Sequence, residues 1–444
     1  MKINRFFSFL AILILLLGIC FPISVQATED DSLGLPDFPE IASENIVLMD
    51  ADSHEVLFSK NPDKKSYPAS TTKLLTALLV LENCGLQDEV TYSANAVNSI
   101  EPGDANASIS EGEILTVEQS LYCLLLRSAN EVAYGLAEHV AGNLSSFSTL
   151  MNSKVEALGA HNTHFTNASG LTDEFHYTTP YDMALIASAC FNSKELMKIA
   201  GYSGLYTISP TNKSTFTRYY KPRFEMLDGG KYSYEYACGG KTGYTDAAGN
   251  CLVSFARKDD LRLVCVVFDG GDASRYNDSI ALFDYYLNNY KKISIDEFDS
   301  HISNSDIDVL TLTGELSSTD RVFLGFKDGA YILVPNKVDK DRLTTIATYS
   351  DSPGYIGEEN GFACMSFFYE NTNVGNATIY ILNSSDTEKL YDTNEAITRT
   401  DYFYINIWYI IGGIFLIGLI ILIIVIVNKR KWRYTNYTSK NLRF

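Results

Sequence analysis

PASTTKLLTALLVLENCG, residues 68–85, is the stretch on which the fold turns. It reads as an apolar helix that opens at Ser70 and carries a lysine, Lys73, one turn in. A packed helix gains nothing from a buried ammonium, so Lys73 is either a solvated first-turn residue behind a Ser70 N-cap or a lysine with chemistry to perform. Residues three apart share a helix face, which brings the amine within reach of the hydroxyl. A lysine whose pKa is lowered by burial or nearby charge can take the serine's proton and make it a nucleophile. Taken alone, S-x-x-K arises by chance in a chain with this much Ser and Lys and favours the capping reading.

Around this helix the pattern changes period. Upstream, NIVLMDADSHEVLFSK (45–60) alternates apolar and polar residues about an Asp-Ser-His turn and predicts a hairpin. Downstream, TVEQSLYCLLLR (116–127) opens with a T-x-x-Q capping box and predicts a second apolar helix, and EVAYGLAEHVAG predicts a third that stops at Gly142. Then GNCLVSFARKDDLRLVCVVFDGG (249–271) predicts two strands about a Lys-Asp-Asp turn. ASRYNDSIALFDYYLNNY predicts an amphipathic helix with apolar positions 280, 283, 286 and 287. Helices in the middle and strands at both ends imply an antiparallel sheet assembled from the two ends of one α/β (α+β) domain, residues 45–291, with helices packed on it. From about 293 to 383 short alternating segments (DVLTLTG, RVFLGF, AYILVP, ACMSFFYE, NATIYIL) predict a small all-β domain.

The chain of 444 residues is long enough for two or three domains, and 46% hydrophobic residues supply ordinary cores. A formal net charge of -19 argues against nucleic acid as a partner. Residues 1–27, with a basic start, the apolar run FLAILILLLGICF and Val25-Gln26-Ala27, read as a cleaved secretory signal, and 28–44 as a polar leader. Cys20 follows Leu-Gly-Ile, where Ile19 is too large for a good lipidation site. Residues 405–427, INIWYIIGGIFLIGLIILIIVIV, would reach roughly 35 Å as a helix, enough to cross a membrane. A polar linker, 384–404, leads into that helix, and the basic NKRKWR after it places a short tail, 428–444, in the cytoplasm and residues 28–404 outside. Seven cysteines remain after signal cleavage (Cys84, Cys123, Cys190, Cys238, Cys251, Cys265 and Cys364), an odd number without CxxC spacing. That argues for buried free thiols and against a disulfide framework or a zinc site. Nothing in the sequence calls for a cofactor.

Two further short motifs are candidates for chemistry. Ser128-Ala129-Asn130 joins two predicted helices, although Ser128 and Glu131 also match an S-x-x-E capping box, and the same tripeptide recurs at Ser93-Ala94-Asn95. Lys241-Thr242-Gly243, after Gly239-Gly240 and before Tyr244-Thr245, offers a cation and a hydroxyl beside glycines that let a ligand approach the backbone; a glycine-rich turn with a surface lysine is the plainer reading. S-x-x-K, S-x-N and K-T-G in this order are the motif set of penicillin-binding proteins and serine β-lactamases, and together they outweigh coincidence.

The sequence resembles the low-molecular-mass D-alanyl-D-alanine carboxypeptidases over nearly the whole exported region. The resemblance rests on LMDADSHEVLFSKNPDKKSYPASTTKLLTALLVLE, LLLRSANEVAYGLAEHVAGN, MNSKVEALGAHNTHFTNASGL, HYTTPYDMALIA and GGKTGYTDAAGNCLVSFARKDDLRLVCVVF. It implies a DD-peptidase/β-lactamase-like fold, with the β-rich segment as the family's second domain. By similarity Ser70 would attack the peptide bond between two terminal D-alanines of a peptidoglycan stem peptide, with Lys73 as its base, and β-lactam antibiotics would acylate the same serine. Ser128 would relay a proton to the leaving amine and Asn130 would orient Lys73 and the substrate amide. Lys241 and Thr242 would hold the terminal carboxylate, beside Gly243. The amides of Ser70 and Tyr244 would form the oxyanion hole. Arg275 matches an arginine the family places near the carboxylate, against the alternative of a solvated first-turn residue; His176 is assigned to structure.

Two other functions compete. A serine β-lactamase needs a glutamate for the deacylating water, and no E-x-x-L-N stands between Ser128 and Lys241. A membrane-tethered wall-binding or sensor protein with an inactive peptidase domain would not need Ser70.

Overall fold

The computed structural model describes residues 33–295, 323–327, 329–350, 357 and 361–382. The expected signal peptide, linker, membrane-spanning helix 405–427 and tail lie outside them, as does DVLTLTG. Among the described residues no helix is long and apolar enough to cross a membrane. The described residues of one compact unit lie in 33–295 and 324–381; of the second, only Phe323 and Leu382 are described.

The predicted hairpin is β1 (Asn45–Asp50) and β2 (Val56–Lys60), antiparallel with an irregularity at Leu48/Met49. A short 3-10 turn, Ala69–Thr72, leads into α1 (Lys73–Asn83). There follow β3 (Glu89–Thr91), α2 (Ala94–Asn98), β4 (Ile114–Thr116), α3 (Val117–Leu126), α4 (Asn130–Ala141) and α5 (Leu144–Ala157). Next come α6 (Pro180–Phe191), α7 (Lys194–Ala200), β5 (Tyr206–Ile208) and β6 (Arg218–Tyr220). The long strands β7 (Ala237–Thr245), β8 (Gly249–Lys258) and β9 (Leu261–Gly270) precede α8 (Ser274–Asn289). The expected capping box forms: the Thr116 hydroxyl accepts from the Gln119 amide while the Gln119 side chain accepts from the Thr116 amide.

Strand order β2-β1-β9-β8-β7, antiparallel throughout, joins the two ends of the region into one sheet, as the sequence predicts. Both faces are covered, and the period of two along each strand decides which residue goes where. Val47, Met49, Val253, Phe255, Val264 and Val266 pack toward α1, α3, α4 and α6. Ile46, Leu48, Leu252, Leu263, Cys265 and Val267 pack toward α8. Every residue of β1 is buried. Each such side chain contributes about 1.5–3 kcal/mol from leaving water.

Helix α1 is buried from Lys73 to Val80 without a gap. A helix apolar all round belongs inside a protein, so its first residue goes inside with it.

At Tyr290 the chain turns from α8 directly into β10 (Tyr290–Ser294), and a β-rich segment follows: β11 (Phe323–Gly325), β12 (Tyr331–Pro335), β13 (Thr344–Tyr349), β14 (Ala363–Tyr369) and β15 (Thr372–Leu382). β10 pairs with β12, and the other four form a sheet in the order β11-β15-β14-β13. This segment has its own small core around Ile293, Ile332, Val334, Met365 and Phe367. Two hydrogen bonds tie it to the first hairpin, Tyr331 hydroxyl to Asp50 and Lys292 Nζ to Asp52, each 2.7 Å.

Candidate active site

The 3-10 turn opens with Ala69 at φ +48°, a left-handed conformation that costs a non-glycine residue about 1–3 kcal/mol. Pro68, not Ser70, caps this turn, and Thr72 caps α1 without a side-chain bond. The Ser70 hydroxyl is therefore not spent on a helix end. It lies 2.9 Å from Lys73 Nζ.

Lys73 is fully buried. Its Nζ also donates to Asn130 Oδ1 at 2.7 Å and to the Ser169 carbonyl at 2.5 Å. Burial, followed by the charge of Lys241, holds its pKa well below the usual lysine range, with Glu131 opposing. The alternative of a solvated lysine does not survive this placement.

Ser128 sits at φ +60°, a second strained position, and Lys241 Nζ donates to its hydroxyl at 3.0 Å. Its competing role as a capping residue is not taken up: Ala129 occupies the N-cap of α4 without a side-chain bond. Glu131 turns away to accept from the Ala107 amide at 2.7 Å. Asn130, first residue of α4, is buried and faces Lys73.

Strand β7 brings the third motif. Lys241 is buried, and its pKa is pushed down to about 7 by burial and by Arg223 and Arg275. Its Nζ also donates to the Thr242 carbonyl at 2.7 Å, and Thr242 itself is half-buried. At Gly243 a Cβ would stand 3.0 Å from the Pro68 carbonyl and 3.1 Å from the Ser70 amide nitrogen. A side chain at this position would press β7 and the turn that carries Ser70 apart by a few tenths of an ångström. The Tyr244 side chain is exposed and bonds Asp246.

Arg275 is buried, not solvated as one reading allowed. It donates to the Cys251 carbonyl at 3.3 Å and to Asp272 at 3.0 Å, and Cys251 is the register partner of Gly243. His176 bonds Thr72 through Nε2 at 2.9 Å and accepts from the Thr166 amide through Nδ1. Burial pushes its pKa down to about 3, so it stays neutral and pins the loop before it to the turn of Ser70.

Four contributors escape a reading by short motifs. Ser169 supplies a carbonyl to Lys73. Gly170, at φ +83°, passes so close to the Ala69 carbonyl that a Cβ would overlap it. The signal for both is Asn167, whose Oδ1 accepts from the Ser169 and Gly170 amides in a local turn. Glu131 places a carboxylate near Lys73, and Arg223 a cation near Lys241. All seven described cysteines are free, five of them buried.

This arrangement joins a hydroxyl, a lysine pushed toward neutrality and a second hydroxyl that accepts from Lys241, in a protein that is otherwise strongly acidic. It can make a serine nucleophile and hold a carboxylate. The family model described as D-alanyl-D-alanine carboxypeptidase, peptidase family S11, matches residues 33–272. D-alanyl-D-alanine carboxypeptidase DacF of Bacillus subtilis is 30% identical over 262 residues, which are 57% of this chain and 64% of the relative, just under two thirds of its length. The Streptomyces K15 DD-transpeptidase structure is 28% identical with a TM-score of 0.52, covering 56% of this chain and 98% of the other. Penicillin binding protein 5 from Haemophilus influenzae superposes with a TM-score of 0.62 at 23% identity over 78% of this chain and 98% of the other, a likeness of fold. With a match to the family model over more than half its length, the chain belongs to the D-alanyl-D-alanine carboxypeptidase family of peptidases, S11.

Proposed function

We propose that the chain is a serine-type D-Ala-D-Ala carboxypeptidase that removes the terminal D-alanine from peptidoglycan stem peptides. The observation that carries the reading is the buried Lys73 at 2.9 Å from the Ser70 hydroxyl. Neutral Lys73 takes the proton as Ser70 Oγ bonds to the carbonyl carbon between the two D-alanines. The amides of Ser70 and Tyr244 receive the developing oxyanion; one such donor is worth about 10²- to 10³-fold in rate. As the C–N bond breaks, the proton passes through Ser128 to the leaving amine, with Asn130 fixing Lys73. D-alanine departs, and water then hydrolyses the ester on Ser70.

Lys241, Thr242 and Arg275 hold the substrate's terminal carboxylate. An arriving carboxylate favours the charged form of Lys241 and so restores the ammonium that burial disfavours. Lys73 would then face a stronger positive neighbour, which helps keep it neutral.

Residues 28–404 work outside the cell, held to the outer face of the cytoplasmic membrane by residues 405–427, with the β-rich segment setting the distance to the wall. The apolar run and the basic residues after it support this placement.

Penicillin tests the reading against the β-lactamase alternative. Lys73 Nζ bonds Ser70, Asn130 and Ser169, and among the described residues no carboxylate is bonded to it. The expected outcome is a penicilloyl adduct on Ser70 that persists in intact-mass spectra. An adduct lost within seconds would point to a β-lactamase, and absence of any adduct would leave the inactive sensor.

A further inference from the structure

Helices α1 and α4 begin at Lys73 and Asn130, and their far ends also meet. Cys84 caps the end of α1, Asp88 stands in the turn before β3, and His139 lies in the last turn of α4. One ligating atom from each, sulfur, carboxylate oxygen and ring nitrogen, lies within 4.8 Å of the other two. We infer that this cluster binds a divalent transition metal, zinc by its donor set.

Thiolate, imidazole and carboxylate together are a zinc set, whereas calcium and magnesium take oxygen alone. Thiolate and carboxylate neutralise a doubly charged cation, and zinc bonds these donors at about 2.0–2.3 Å. Side-chain adjustment of about 1 Å closes the cluster on such an ion, because tetrahedral ligands stand roughly 3.3–3.8 Å apart. The turn is already built: Asp88 Oδ2 accepts from the Gly85 amide at 2.8 Å, and the Asp88 amide donates to the Gly85 carbonyl at 3.1 Å. Oδ1 remains for the metal. Cys84 is half-buried while Asp88 and His139 are exposed, which gives the ion a path from solvent and leaves a fourth position to water.

The donors are C-x₃-D and a histidine far along the chain, so the short spacings that mark a zinc site in sequence are missing. Three separate elements supply them, which is why the cysteine pattern argues against zinc while the fold assembles it. At about 1.5 Å per residue along α1 and α4 the cluster lies about 15 Å from Lys73 and Asn130. The metal takes no part in peptide cleavage. It fastens together the ends of the two helices whose first residues make the Lys73–Asn130 bond.

The test uses the full-length chain without an affinity tag, in detergent, titrated with Co²⁺ and then with Zn²⁺. Expected are a thiolate-to-cobalt charge-transfer band, its loss on adding Zn²⁺, and a Tm that rises with Zn²⁺. Cys84→Ser removes the band. His139→Gln, at an exposed position that the fold tolerates, weakens binding at least about 10-fold, the least that loss of even an outer partner costs a metal site. The inference fails if the wild-type chain gives no band, or if the band and the Zn²⁺-dependent Tm persist unchanged in both variants.

Discussion

The peptidase sheet and the β-rich sheet are both antiparallel, yet they are built for different loads. In the first, both faces are covered and β1 is buried at every residue. In the second, β14 is almost wholly buried while its neighbour β13 leaves Ile346 57% exposed. Basic side chains of the two regions can be set side by side in the same way. Lys73 and Lys241 lie inside the peptidase region with their Nζ atoms bonded to hydroxyls, carbonyls and an amide oxygen, whereas Arg342 of the β-rich segment pairs with Glu370 at the surface. A buried amine persists only where packing on every side and hydrogen bonds at its head offset the loss of water. Among the described residues, Lys73 and Lys241 meet both conditions inside the peptidase region.

Substituting one basic side chain of each kind should separate the regions most widely. Lys73→Met is expected to lower peptidase turnover by about 10⁴-fold or more, the scale of losing a member of a nucleophile-base pair. Arg342→Met, at an exposed pair of small worth, is expected to change neither turnover nor Tm measurably. Equal effects would erase the distinction. Packing gives the next contrast: Leu79→Ala in α1 should cost about 2–5 kcal/mol in denaturant melts, and Ile346→Ala should stay within about 0.5 kcal/mol. Gly243→Ala probes the seam between β7 and the Ser70 turn, where the added methyl meets three atoms at 3.0–3.1 Å. The neighbours must give by a few tenths of an ångström there, so acylation is expected to slow, by less than the roughly 10²-fold that a 1 Å misplacement costs, while Tm moves little.

The smallest effect is a pH limb. Lys241 is held near 7 in the free protein, far below the ordinary lysine value of 10.5. It must be charged to hold a carboxylate, so kcat/KM should fall as pH rises through about 7. Lys241→Arg, always charged, should move that limb upward even if it lowers the plateau. The sign for stability is opposite: the cost of burying the Lys241 charge is full below about 7 and is relieved as pH rises from there toward 10.5. A limb that stays in place in Lys241→Arg would assign it to another group.

Long periodic segments made strands β1, β2, β8 and β9 and helices α1, α3, α4 and α8 legible, whereas α5 and α6, no shorter than α1, were not read from the sequence. The run after Lys73 is apolar on all sides, and strands β8 and β9 are ten residues each. Strands β3 to β6 have three residues each, too few for alternation to register, and went unseen. At the site, the three motifs named their residues but not their conformations. Ser128 matches a capping box perfectly well in sequence; its left-handed backbone, which turns the hydroxyl to Lys241 instead, is a tertiary fact. Ser169 and Gly170 act through a carbonyl and a missing Cβ, features that no side-chain pattern advertises. For Arg275 the sequence left two readings, a carboxylate-binding arginine by resemblance and a solvated first-turn residue; its bond to the Cys251 carbonyl in β8 removes the second.

The account stands on Ser70 as the nucleophile of a carboxypeptidase. Full-length chain in detergent, given a peptide ending in D-Ala-D-Ala, should release free D-alanine, and Ser70→Ala should lower that release by roughly 10⁴- to 10⁶-fold with Tm unchanged. No D-alanine from the wild-type chain, or equal release from Ser70→Ala, would contradict it.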